Sequence, residues 1–299
     1  MWILFALLSA LCLGFYDVSK KQSLRGNSVA GVLFLSVCCS SLLLLPMLVC
    51  SRLELIADGS LFHVPHADTT AHLFILLKAV IVLSSWYFAY IAIKNLPLTI
   101  VSPVNATRPM WTLLGALLIF GERLNGWQWA GVTVILLAFF AFSVVGKHEG
   151  ISFTHNRYIY AMLLAMFLGA ASGLYDKYLM KRFDHNAVQV YYTFYQAALM
   201  AVFYFSRKAK AESRQTTQTN WSWWIVGISI FLVLSDFFYL LSLTYPDSLI
   251  AVVSTTRRCG VIIPFLFGTF VLKDKNPKEK AVCLGFVLLG MLFLLLGTL

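Results

Sequence analysis

Leu98–Phe120 reads LTIVSPVNATRPMWTLLGALLIF, a membrane-length apolar run with one charge, Arg108, near its middle. A second run, Ser248–Val271, reads SLIAVVSTTRRCGVIIPFLFGTFV and carries the adjacent pair Arg257 and Arg258. A charge at the bilayer centre costs roughly 2.5 to 3.5 kcal/mol even on the more lenient scale, so three arginines persist there only by facing a protein interior or an aqueous cavity with something to bind. The two runs therefore read as helices around a polar centre, and the arginines mark a site for an anion.

The rest of the chain agrees with a membrane setting. Of 299 residues, 60% are hydrophobic and 12% charged, and the mean hydropathy is +0.79, more apolar than a soluble domain's surface can cover. Trp2–Tyr16 lacks a basic leader and a small-residue cleavage site, so it reads as the first membrane helix and not as a removed signal. The six cysteines lie in or beside apolar runs without ligand spacing, which predicts neither a disulfide framework nor a metal site. The net charge of +10 is scattered over short connectors without a nucleic-acid-binding motif, so nucleic acid is not an expected partner.

A spanning helix needs about 20 mainly apolar residues. Ten candidates are centred near residues 9, 39, 83, 109, 136, 168, 197, 233, 260 and 290. Continuous apolar stretches satisfy their backbone in a bilayer only as helices, so the fold is predicted to be an all-α membrane protein. Two more polar stretches, Ser51–Ala71 and Ser206–Asn220, read as loops. The chain also echoes itself. Gly14-Phe15-Tyr16-Asp17 returns as Gly173-Leu174-Tyr175-Asp176, Asn27 as Asn186, Val82-Leu83-Ser84 as Val233-Leu234-Ser235, Pro97 as Pro246, and Thr107-Arg108 as Thr256-Arg257. Five helices per half is an odd number, so the second half must enter the membrane in the opposite sense, giving two inverted five-helix repeats with a substrate between them. The expected divisions are residues 1–146 for the first repeat, 147–157 for a linker and 158–299 for the second repeat.

Ala92-Ile93-Lys94-Asn95-Leu96-Pro97-Leu98, the turn Gly121-Glu122-Arg123-Leu124 and Gln128-Trp129-Ala130-Gly131 resemble the EamA type of the drug/metabolite transporter superfamily, and Lys273-Asp274-Lys275 with Gly285 continue the likeness in the second half. One cation in the fourth helix and two adjacent cations in the ninth are similar to the triose-phosphate translocator branch, where such residues hold a phosphate. The resemblance implies a ten-helix transporter, and a phosphorylated substrate as far as Arg108, Arg257 and Arg258 match. It also implies an integral, multi-pass protein of a bacterial inner membrane, a monomer or homodimer in the lipid bilayer.

The charge balance points the same way. Arg108, Arg257, Arg258 and Lys78 stand at membrane depth against one acid, Asp236, whereas a pathway for organic cations would want acids there. Arginine stays protonated and offers a planar fork suited to phosphate or carboxylate. Thr107 and Thr256, each just before its arginine, and Asn105, within one turn of Arg108, are secondary candidates for the anion site. Asp236 reads equally as a proton-coupling carboxylate or as a structural partner of Arg257 or Arg258. Lys78 reads as a snorkelling side chain, Asp17 and Asp176 as solvated helix-end carboxylates, and Glu122 as a cap. Pro103, Pro109 and Pro264 remove backbone bonds and predict kinks near the arginines.

The first, third, fifth, seventh and ninth connectors are the more basic, with Lys20, Lys21 and Lys280 counted among theirs, so the positive-inside rule puts them in the cytoplasm and both termini outside. The expected function is secondary active transport of a small organic anion by alternating access, with exchange or proton coupling. The alternative is export of amino acids or related zwitterions, in which the arginines hold only a carboxylate. No nucleophile, metal cluster or Walker-type loop appears, so neither an enzyme nor a cofactor is expected.

Overall fold

The apolar runs fold as helices. The structure, a computed structural model, describes residues 2–57, 60–120, 124–148, 151, 155–180, 182–211, 219–243, 245 and 250–297, and among these no strand occurs. In chain order the α-helices are α1 (Trp2–Ser23), α2 (Val29–Arg52), α3 (Thr69–Asn95), α4 (Leu98–Ala106), α5 (Arg108–Phe120), α6 (Gly126–His148), α7 (Arg157–Met180), α8 (His185–Ala211), α9 (Trp223–Leu243), α10 (Ile250–Arg258), α11 (Ile262–Phe270) and α12 (Pro277–Leu296). Seven of them, α1, α2, α3, α6, α7, α9 and α12, are each long and apolar enough to cross a membrane. With α8, and with α4–α5 and α10–α11 each taken as one segment, they give ten segments at the expected centres.

The fourth and ninth segments are broken rather than merely kinked, and both breaks fall at the arginines. Pro109 has no N–H to give Asn105, so the chain there closes tighter bonds: Thr107 N donates to Val104 O at 3.1 Å and Met110 N to Thr107 O at 3.0 Å. Such i→i−3 bonds end α4 and restart the chain as α5. In the ninth segment a 3-10 turn, Cys259–Val261, separates α10 from α11, and Pro264 likewise gives no N–H to Gly260. Gly260 is also where α1 comes closest. A Cβ on Gly14 would stand 2.7 Å from Gly260 O, and a Cβ on Gly260 would collide with Ala10 O, so the crossing needs residues without bulk.

Local chemistry fixes the other helix ends. Ser28 caps α2 by accepting from Gly31 N at 3.1 Å, and Asp68 caps α3 by accepting from Ala71 N at 3.0 Å, each satisfying a donor that the first turn leaves open. Pro97 stops α3 from continuing into α4, and Pro277 opens α12 at the position where a missing N–H costs nothing. Three helices run further than their apolar stretches. α1 continues past Tyr16 to Ser23, α7 past Asp176 to Met180, and α8 through Ser206–Ala211. Asp17, Lys20 and Lys21 are therefore helical residues and not connector residues, as is Lys280 in α12, where it is fully buried.

α1 lies on α9 and α7 lies on α3; α6 pairs with α12 and α2 with α8. Asn27, at one end of the bundle, donates to Asn220 O at 3.2 Å and accepts from Asn220 N at 2.8 Å. Asn186, at the opposite end, donates to Leu61 O and His63 O at 2.9 Å. The core between the helices centres on buried Tyr90, Val101, Val104, Met162, Met166 and Ile228. Residues 121–123, which include Glu122, and Pro246 lie outside the described residues.

Candidate functional site

At the centre of the bundle is a cavity of about 360 Å³, within the range of small-ligand sites. Arg108, Arg257, Arg258, Asn105 and Asp236 all line it, and so do Lys20, Lys78, Asp17 and Asp176. Residues of α1, α3, α4, α5 and α6 face residues of α7, α8, α9, α10 and α12 across it. The sequence reading missed four of these charges as cavity groups. Their spacing held a signal: Asp17 and Lys20 are one helical turn apart, and Asp17 and Asp176 sit in the echoed motif.

Most of the charges are paired. Lys20 Nζ meets Asp17 Oδ1 at 2.5 Å and lies 4.0 Å from the centre of the Tyr16 ring. Lys78 Nζ meets Asp176 Oδ1 at 2.9 Å and lies 4.5 Å from the Tyr192 ring centre. Lys78 is thus a buried cavity residue at 5% exposure, not a side chain reaching for the interface. Asp17 and Asp176 are salt-bridge partners inside their helices, not solvated carboxylates at helix ends. Arg257 Nη2 binds Asp236 Oδ1 and Ser235 Oγ at 3.1 Å, while its guanidinium lies 4.4 Å from the Tyr239 ring centre. Pairing of this kind offsets the desolvation of both partners.

Arg108 and Arg258 differ. Among the described residues neither has a carboxylate within salt-bridge distance or a side-chain hydrogen bond, and Arg108 Nε is buried without a partner. Five cations and three acids line the cavity; three pairs leave these two arginines over. Arg108 opens α5, where the helix N-terminus adds its own positive end to the guanidinium. Its head group rests against α7 at Gly169, where a Cβ would stand 2.7 Å from both Nε and Nη1. Asn105 Oδ1, buried beside it, also has no hydrogen-bond partner.

The two threonines are used otherwise than expected. Thr107 Oγ1 donates to Val104 O at 2.7 Å and lies 3.1 Å from Met166 Sδ, capping the break in its own segment, and it does not line the cavity. Thr256 does not line it either; its neighbour Thr255 does, because successive helical residues point about 100° apart.

A helical bundle with this many membrane-length segments around a charged cavity is the architecture of an integral, multi-pass membrane protein. The EamA-like transporter family, part of the drug/metabolite transporter superfamily, matches residues 1–144, which points to a membrane transporter. No curated protein matches the chain. Among solved structures 27 chains match. One of them, a crystal structure of a protein, is 14% identical, covers 99% of this chain and 97% of its own, and superposes with a TM-score of 0.65. At that identity the likeness speaks for the fold alone.

Proposed function

We propose that the protein is a secondary active transporter of a small organic anion, such as a phosphorylated metabolite, working by alternating access. The observation that carries this reading is the pair of cavity arginines, Arg108 and Arg258, left without a carboxylate partner among the described residues while Lys20, Lys78 and Arg257 each hold one. Two guanidinium forks at a helix break suit an oxyanion, which would receive charge-assisted bonds from both. Zwitterion export fits less well, because an ammonium group would have to displace a cation already seated on Asp17, Asp176 or Asp236.

Residues 1–146 and 158–299 are proposed as inverted repeats joined through 147–157. The matching use of Asn27 and Asn186 at opposite ends supports this, as does the exchange of partners in which α1 lies on α9 and α7 on α3. Lys20, Lys21 and Lys280, helical residues of α1 and α12, drop out of the connector count; the remaining basic residues still favour the odd connectors as cytoplasmic.

Uptake into vesicles holding the purified protein tests the reading. Inorganic phosphate or a phosphorylated compound should compete for transport, and neutral zwitterions should not; competition by amino acids with phosphate inert would transfer the assignment to the alternative.

A further inference from the structure

One of the three cavity ion pairs is built differently from the other two. Asp236 is held from both sides, Oδ1 by Arg257 and Oδ2 by the hydroxyl of Tyr192 at 2.7 Å, and it also forms the wall of a second, smaller pocket. That pocket, of about 10 Å³, is lined by Ser40 of α2, Gln189, Thr193 and Gln196 of α8, and Asp236 itself; it has room for one water molecule. Ser40 Oγ and Gln196 Nε2 are buried there without hydrogen-bond partners, at 3% and 1% exposure. Trp86, Tyr192, Leu232 and Asp236 line both spaces. The echo of Val82-Leu83-Ser84 in Val233-Leu234-Ser235 sets Ser85 where the second half has Asp236, so the arginine of one half carries a carboxylate that its counterpart lacks.

We propose that Asp236 is a proton-coupling carboxylate that competes with the transported anion for Arg257; this rests on the anion reading above. A proton from water, relayed between Ser40 and Gln196, binds a carboxylate oxygen of Asp236. Neutral Asp236 releases Arg257, which keeps its own charge and joins Arg108 and Arg258 around the anion. Deprotonated Asp236 takes Arg257 back. Protonation therefore strengthens anion binding, and by reciprocity anion binding draws a proton onto Asp236, so one proton travels with the anion.

The groups facing Asp236 set the pH at which this happens. They are Tyr192 from α8, Arg257 and Arg258 from α10, Arg108 from α5, Tyr16, Asp17 and Lys20 from α1, Asp176 from α7, Tyr239 on its own helix, and Lys78 of α3 behind the Tyr192 ring. Cations outnumber acids in this set, and the arriving anion offsets them.

The test uses the full chain in detergent with sulfate, whose charge is constant from neutral to mildly acid pH. Sulfate affinity of the wild type should rise as pH falls, approaching tenfold per pH unit where the carboxylate titrates, with proton uptake from a weakly buffered medium. Asp236→Asn, fixed in the neutral form, should bind at the acid-limit affinity at every pH and take up no proton. Arg257→Gln, a second variant should the first fail to fold, should bind weakly through Arg108 and Arg258, with a shallower pH slope than the wild type because only the repulsion by Asp236 remains to titrate. A wild-type pH slope in either variant, or loss of sulfate binding in a folded Asp236→Asn, overturns the proposal. Absence of sulfate binding by the wild type at every pH would overturn the anion reading itself.

Discussion

Gly169→Ala tests the placement of Arg108 without touching its charge. The new Cβ would collide first with Arg108 Cζ and would stand 2.7 Å from Nε and Nη1, against the roughly 3.5 Å at which such atoms rest, so the guanidinium must shift by at least about 1 Å. Hydrogen bonds from the fork to an oxyanion, set near 2.8 Å when charge-assisted, weaken steeply over that distance. Each such bond is worth roughly 1.5 to 3 kcal/mol, so losing one should raise the Kd for inorganic phosphate about tenfold or more. Alanine suits a helix interior better than glycine, so the fold should persist. Phosphate titration followed by thermal shift reads the affinity, since a ligand of the native state raises its apparent stability. Wild-type phosphate affinity in Gly169→Ala would refute the idea that the seat on α7 places Arg108 for its ligand.

Arg108→Ala should weaken phosphate binding at least tenfold with the protein still inserted and folded, whereas Arg258→Lys, which keeps the charge but loses the fork, should weaken it only partially; wild-type transport by Arg108→Ala at normal expression would mark that arginine as structural. Thr107→Val should lower thermal stability by roughly 1 kcal/mol, through the lost bond to Val104 O, while leaving phosphate affinity within twofold or so; a large affinity loss would return Thr107 to the binding site. Asp274→Asn should lower the thermal midpoint, because Asp274 Oδ2 accepts from Thr99 N at 3.1 Å and Thr99 Oγ1 at 2.9 Å, with roughly 2 kcal/mol at stake; an unchanged midpoint would show that this tie between α4 and the turn before α12 contributes nothing.

The helices and the central arginines were legible because burying a charge in lipid is so costly that sequence can hold it there for few reasons. Pro109 and Pro264 likewise announced disturbance in the two arginine segments, since a missing N–H is a local fact. The ends of α1 and α7 were not legible. An apolar run ends at its first charge only when that charge is counted alone, and Asp17 with Lys20, or Asp176 with Lys78, cost less to bury as pairs than singly. The second of those pairs joins residues far apart in sequence, which no local pattern reveals. Thr107 and Thr256 were misplaced for a simpler reason: adjacency to an arginine says nothing of rotation about the helix axis. Gly169 gave no sign at all, because a glycine in an apolar helix becomes meaningful only once its neighbour across the interface is known.

The crossing of α1 with the turn at Gly260 ties together parts of the chain made far apart in time. The ribosome releases α1 well before the ninth segment, and the surface at Ala10 and Gly14 is not covered until that segment arrives. That late segment is the poorest entrant of all, since α10 brings two arginines on a short half-helix that could not partition into lipid unaided. Each therefore waits on the other: the early helix keeps a docking face vacant, and the late one has a place to go only because it was kept. Biogenesis should accordingly be least forgiving at this crossing, where a methyl group added to Gly260 would leave the arriving segment with no berth in the membrane.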